Sequence, residues 1–180
     1  MTDCRIYVAS LSDYNAGYLH GTWIEVNDEF TMREQIEAML AESPTAKAEG
    51  CPAEEWAIHD FEGFGDVRLS EYEDIDWIVA LAEGAEEHGD AFLAWVAHEP
   101  AHNRDASDFQ EAFLGEWPSL ADYVEDYWEQ CGEAPKASGG SCWHPANYTD
   151  WEKMAQDLDA SGDFLVLDAL NGGVFVFSNQ

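Results

Sequence analysis

Along Leu120-Ala-Asp-Tyr-Val-Glu-Asp-Tyr-Trp-Glu-Gln-Cys131, carboxylates recur at helical spacing. Asp122, Asp126 and Glu129 fall in one row, Glu125 flanks them, and Glu133 joins if the helix runs on. At the rise of an α-helix such neighbours stand ~4.5–6 Å apart along the axis. Leu120, Val124, Tyr127 and Cys131 share the opposite, apolar face. Each like-charge pair at i,i+4 costs roughly a few tenths of a kcal/mol, so a row with no lysine between its members is a small, uniform cost. It reads either as a solvated helix face or as a surface whose charge is used. The pattern repeats at Glu71, Glu73, Asp74 and Asp76, at Glu83, Glu86 and Glu87, and at Asp157, Asp159 and Asp163.

Paired carboxylates can serve acid–base or metal chemistry, but here they occur everywhere and mark no site. The chain contains no G-x-S-x-G, no Walker loop and no H-E-x-x-H. His20, His59, His88, His98, His102 and His144 form no ligand set, and Pro100 spoils a shared helix face for His98 and His102. His59 alternates with core residues of a strand and reads as structural. Cys131, Cys142 and His144 match no common zinc spacing and lack a fourth ligand. The expectation is a protein that is not an enzyme, with no cofactor and no metal. One alternative is a calcium-binding module: Asp157, Asp159, Ser161 and Asp168 occupy positions 1, 3, 5 and 12 of an EF-hand-like loop, with Gly162 at position 6. Against it, Asp168 is shorter than the usual Glu, and a hairpin follows where a helix belongs. The competing reading of this segment is a helix end, a glycine turn and entry into a strand.

Charge decides the class of partner. The chain of 180 residues carries 38 Asp plus Glu against 7 Lys plus Arg, a formal net of -31. Self-repulsion on that scale opposes compact folding, so the charge is either compensated or useful. Arg5, Arg33, Lys47, Arg68, Arg104, Lys136 and Lys153 lie far apart and form no patch. Nucleic acid and anionic lipid need clustered cations, so neither is expected as a partner; a basic protein surface is. At one charge per ~1.7 Å of duplex, the net charge matches about 53 Å of DNA. An ordinary protein with a halophile's acidic surface is a further alternative. The start shows no signal peptide and no apolar run approaches a membrane span, which with four widely spaced Cys predicts reduced thiols and a cytoplasmic location.

The elements that must position these groups follow from periodicity and caps. Apolar residues make up 46% of the chain, enough for a packed core. Cys4 to Ser10 alternates as a strand, Ser12 to Gly17 is a turn-rich loop, and Tyr18 to Val26 is a second strand. Thr31 with Glu34 forms a capping box for a helix buried through Ile36, Met39 and Leu40 and ending before Pro44. A third strand runs from Glu55 to Phe61, with Trp56 and Ile58 on one face. Ser70 with Glu73 caps a helix buried through Ile75, Ile78, Val79 and Ala82; Gly89-Asp90 breaks and restarts it. Ser107 with Gln110 opens a short helix carrying Phe109 and Phe113, after a soft boundary near Arg104. Ser119 caps the acidic helix, Gly132 to Asn147 is a loop, and Thr149 with Glu152 caps a helix buried through Trp151, Met154, Ala155 and Leu158. Phe164–Leu167 and Val174–Phe177 are strands joined at Asn171-Gly172.

The runs Arg5-Ile-Tyr-Val-Ala-Ser-Leu-Ser-Asp-Tyr-Asn-Ala-Gly17, Leu19-His-Gly-Thr-Trp23 and Glu54-Glu-Trp-Ala-Ile-His-Asp-Phe-Glu62 resemble the ArdA family of antirestriction proteins. Ser119 to Gly132 looks like that family's antirestriction helix, and Asp157 to Gly162 with Val174-Phe-Val-Phe177 resembles its closing helix and hairpin. The resemblance covers nearly the whole chain in order. It implies an α+β protein built as an elongated chain of three small domains, 1–68, 69–104 and 105–180: a sheet plus helix, a helical centre, and a part with the acidic helix and the dimer interface. It implies a homodimer carried on mobile elements that mimics bent DNA. Its partner would be a type I restriction–modification enzyme, held by the DNA-binding groove of the methyltransferase core.

Overall fold

The computed structural model describes residues 4–100, 105–131 and 149–179. Among these the protein is α+β, with eight helices and two three-stranded antiparallel sheets. It divides into two compact units, Met1–Arg104 and Asp105–Gln180.

In the first unit β1 (Arg5–Ser10) lies between β2 (Gly21–Glu25) and β3 (Trp56–Glu62). The alternation of β1 puts Cys4, Ile6 and Val8 into the core, as its pattern requires. The β1–β3 ladder pairs Tyr7 with Asp60 and Val8 with Ile58, so His59 is the extra residue of a bulge. Bulging breaks the alternation of β3: Ala57 and Ile58 are both buried, while His59 is turned outward and meets the Tyr14 ring edge-on at 4.8 Å.

Helix α2 (Glu29–Ala41) buries Met32, Ile36, Met39 and Leu40. It starts earlier than the Thr31–Glu34 box suggests: Asp28 is the N-cap, and its carboxylate accepts the Thr31 N–H at 2.9 Å. The expected loop Ser12 to Gly17 contains part of a short helix, and a second short helix follows α2. Ser10 caps α1 (Leu11–Asn15), and Ser43 caps α3 (Pro44–Glu49), with Pro44 in the first turn. They are joined by Asp13, a fully buried carboxylate that accepts the Thr45 N–H at 2.9 Å. Burial alone would raise its pKa, but hydrogen bonds from Ser10, Ser43 and Thr45 outweigh that and hold it far below the usual carboxylate range.

Helix α4 (Ile75–His88) and α5 (Asp90–His98) meet at Gly89, as the Gly-Asp signal indicates. The buried stripe of α4 is Ile75, Ile78, Leu81, Gly84 and Ala85. Gly84 is there for contact: a Cβ would come within 2.3 Å of the Phe92 ring.

In the second unit, α6 (Ala106–Ala112) is capped by Asp105 rather than Ser107 and runs straight into β4 (Phe113–Trp117), a strand that sequence reading missed. The sheet order is β4-β6-β5, with β5 (Phe164–Asp168) and β6 (Val174–Ser178) forming the expected hairpin. Central β6 is covered on both faces. Val174 and Val176 pack with α7 (Leu120–Gln130) and α8 (Trp151–Ser161), while Phe177 meets Phe109 and Phe113, and Phe175 meets Phe113. Asp150, not Thr149, caps α8 by accepting the Lys153 N–H at 2.9 Å.

Candidate functional site

Helix α7 positions the acidic row. Ser119 accepts the Asp122 N–H at 3.2 Å, so the cap is where the sequence places it. Tyr123 and Val124 are buried, and with Leu120 and Ala121 they pack on Ala155 and Val176. That orientation leaves Asp122 and Glu129 exposed and Glu125 and Asp126 half-buried. The Gln130 amide donates to the Asp126 carboxylate. Among the described residues none of the four forms an ion pair.

The apolar side of α7 is shorter than its spacing implies. Tyr127 is 53% exposed and Cys131 is exposed. Among the described residues, α7 joins the core formed with Ala155 and Val176 through its first half, from Leu120 to Val124. Tyr127 lies instead along the ring of Tyr123, with centroids 6.0 Å apart. Tyr123, which the sequence left off the apolar face, anchors the helix: its ring meets Trp117 and Phe164 edge-on, each at 5.6 Å.

The remaining acidic groups fall in three settings. Glu71 is exposed and Glu73 half-buried in the turn before α4, while Asp74 is exposed as its N-cap and Asp76 is exposed in its first turn. The Glu73 carboxylate does reach back to the Ser70 N–H at 3.3 Å, but the helix starts later, where Asp74 accepts the Asp76 N–H at 3.1 Å. Tertiary packing then brings Asp76 against Glu29 of α2. The hydrogen bond between these two carboxyl groups, with desolvation and the charges of Glu29 and Asp74, raises the pKa of Asp76. Arg33, 2.6 Å from Glu29, pulls Glu29 the other way. Neither Glu29 nor Arg33 belongs to any acidic run, so only the fold reveals this cluster. Glu83, Glu86 and Glu87 are exposed on α4. Asp157 and Asp159 are exposed on α8, with Asp157 paired to Lys153 at 2.5 Å. Glu133 lies outside the described residues, as do Cys142, His102 and His144.

The EF-hand-like segment takes the conformation of its competing reading. Asp157, Asp159 and Ser161 belong to α8, Gly162 ends the helix at φ +76°, and Asp168 is the last residue of β5. Gly162 is the residue that can adopt this left-handed geometry without strain. Asp163 accepts from the Ser161 hydroxyl at 2.8 Å. Among the described residues no three His, Cys, Asp or Glu side chains are grouped to hold a metal, and no helix is long and apolar enough to cross a membrane.

What this surface can do chemically is offer many carboxylates, few of them neutralised, to a cationic partner. Comparison with known proteins gives that surface a family. Curated proteins yield no match, whereas the profile described as "Antirestriction protein (ArdA)" matches residues 6–172. That span takes in all of β1 but its first residue, and the whole of α7 and α8, and stops just short of β6, so the chain belongs to the ArdA family of antirestriction proteins.

Proposed function

We propose that this protein inhibits a type I restriction–modification enzyme by setting its carboxylates where DNA phosphates would lie, in the DNA-binding groove of the methyltransferase core. The observation that carries the reading is the face of α7, where Asp122, Glu125, Asp126 and Glu129 meet no cation among the described residues. The net charge of -31 supports it, since a groove built for phosphate attracts such a chain over long range. In this reading the protein is a stoichiometric inhibitor and not an enzyme, binds no nucleic acid itself, and works in the cytoplasm as a homodimer joined through residues 105–180. Residues 1–68 and 69–104 form the other two domains of the mimic.

The test is a competition experiment. A purified type I methyltransferase core is titrated with the protein at several concentrations of cognate DNA and of salt. The apparent inhibition constant rises with DNA and with salt, because both compete for or screen the same attraction. A constant that moves with neither refutes mimicry.

A further inference from the structure

A groove lined in part by the bulged residue His59 lies in the first unit, and the acidic-helix reading does not use it. Its volume is ≈ 690 Å³, and Tyr14, His59, Glu55, Glu71 and Tyr72 are among its walls. A second hollow of ≈ 400 Å³ shares Glu55 and Tyr72 with it and adds Trp56. The backbone frame is fixed on both sides: Leu11 N–H donates to the Glu55 carbonyl at 3.0 Å, and Ile58 N–H to the Glu71 carbonyl at 2.9 Å. Tyr14 and Tyr72 are nevertheless 54% and 68% exposed. Among the described residues no Lys or Arg lines either hollow, and neither Glu55 nor Glu71 has an ion-pair partner.

We propose that this groove binds an arginine side chain on a segment of a partner protein. Charge complementarity selects a cation, and the aromatic walls select which one. A guanidinium is planar and weakly hydrated, stacks on aromatic faces and forks onto a carboxylate, whereas an ammonium is a strongly hydrated point charge. Tyr14, held against His59, and Tyr72 line the same groove as Glu55 and Glu71. The groove shares Glu71 with the proposed mimic surface, but its occupancy needs no restriction enzyme.

The experiment uses the full chain and two fluorescent glycine-flanked peptides, one with arginines and one with lysines at the same positions, at raised salt to screen long-range attraction. The arginine peptide binds about fivefold more tightly than the lysine peptide, and Tyr14→Ala and Tyr72→Ala each remove most of that preference. Glu86→Gln combined with Glu87→Gln removes charge elsewhere and leaves the preference intact. Amide NMR shifts in the unaltered chain, centred on Tyr14, His59 and Glu71, give the same answer without any variant. Equal binding of the two peptides, or shifts confined to α7 and α8, overturns the groove and leaves the antirestriction reading standing. Arginine preference in a chain that inhibits no restriction enzyme sinks that reading and leaves the groove.

Discussion

The carboxylate of Asp13 is fully buried and accepts the Thr45 backbone N–H, whereas Asp122 and Glu129 on α7 stand exposed with no ion-pair partner among the described residues. The two regions use the same chemical group in opposite ways. Desolvating a charge is costly unless hydrogen bonds compensate it, so Asp13 is tied to one geometry that clips α1 to α3. The α7 groups keep their hydration, and each contributes little alone. Charge that holds the fold is therefore local and singular, while charge available to a partner is distributed.

The largest effect tests the local half of this contrast. Asp13→Ala strands the Thr45 N–H, an unmet donor costing roughly 1–3 kcal/mol, so a loss of up to about 3 kcal/mol in urea unfolding is expected. Tyr123→Ala costs about the same through lost packing, while Tyr127→Ala costs less than ~1 kcal/mol because the ring is already exposed. Equal losses for the two tyrosines would mean that the apolar side of α7 is covered along its full length.

Acid sharpens the comparison. The folded pKa of Asp13 lies far below the ordinary Asp value of about 3.9 in an unfolded chain. Its contribution is thus complete above the unfolded pKa and is lost as pH falls below it. Acid also discharges the exposed carboxylates and relieves their mutual repulsion, which acts in the opposite direction. The difference in stability between the unaltered protein and Asp13→Asn isolates the first effect: it is constant above about pH 5 and shrinks below about pH 4. A difference that grows on acidification would show that Asp13 is not held as a carboxylate. Asp76 has the reverse sign, since Glu29 raises its pKa in the folded chain. Asp76→Asn accordingly raises the melting temperature slightly at pH 7 and not at low pH.

The contrast between buried and exposed groups also separates what sequence could reveal. Periodicity located β1, the stripe of α2, the Gly89 break, the cap of α7 and the closing hairpin, because each depends on local spacing and on which face is buried. It placed the start of α2 too late and that of α8 one residue too early, since Thr31-x-x-Glu34 and Thr149-x-x-Glu152 imitate capping boxes while Asp28 and Asp150 make the bonds. It misjudged β3, because a bulge is set by pairing with β1 and leaves no mark in a period of two. Asp13 read as a turn residue, as its Ser-Asp-Tyr-Asn setting suggests, and only its long-range bond to Thr45 reveals the clip. The acidic row was legible, since exposed charge obeys helix geometry alone. The extent of the apolar side was not, because it depends on how far β6 and α8 reach. Gly84 carried a signal that could have been read: a glycine inside a helix costs about 1 kcal/mol against alanine and so invites a packing reason.

On the distributed half, converting Asp122, Glu125, Asp126 and Glu129 together to amides weakens inhibition by more than tenfold if each exposed charge contributes up to ~1 kcal/mol. Thermal stability is unchanged or higher, because like-charge repulsion along α7 is relieved. Affinity and melting temperature measured on one preparation distinguish this from Asp13→Ala, whose loss of inhibition tracks unfolding. A quadruple variant that melts lower and inhibits as before would reverse the assignment of the two regions.

The smallest effect is the most exacting. Asp126 is half-buried and accepts from the Gln130 amide, yet no ion-pair partner faces it among the described residues. Asn keeps an oxygen that can accept the same bond and removes one charge from a net of -31. Asp126→Asn therefore shifts stability by less than ~0.5 kcal/mol and inhibition by less than about threefold. The comparison rests on this near-silence: if charge on α7 acts as a sum, each member is individually replaceable while the set is not. Complete loss of inhibition by Asp126→Asn, in a protein whose melting curve is unaltered, would make α7 a local site like Asp13 and end the distinction between them.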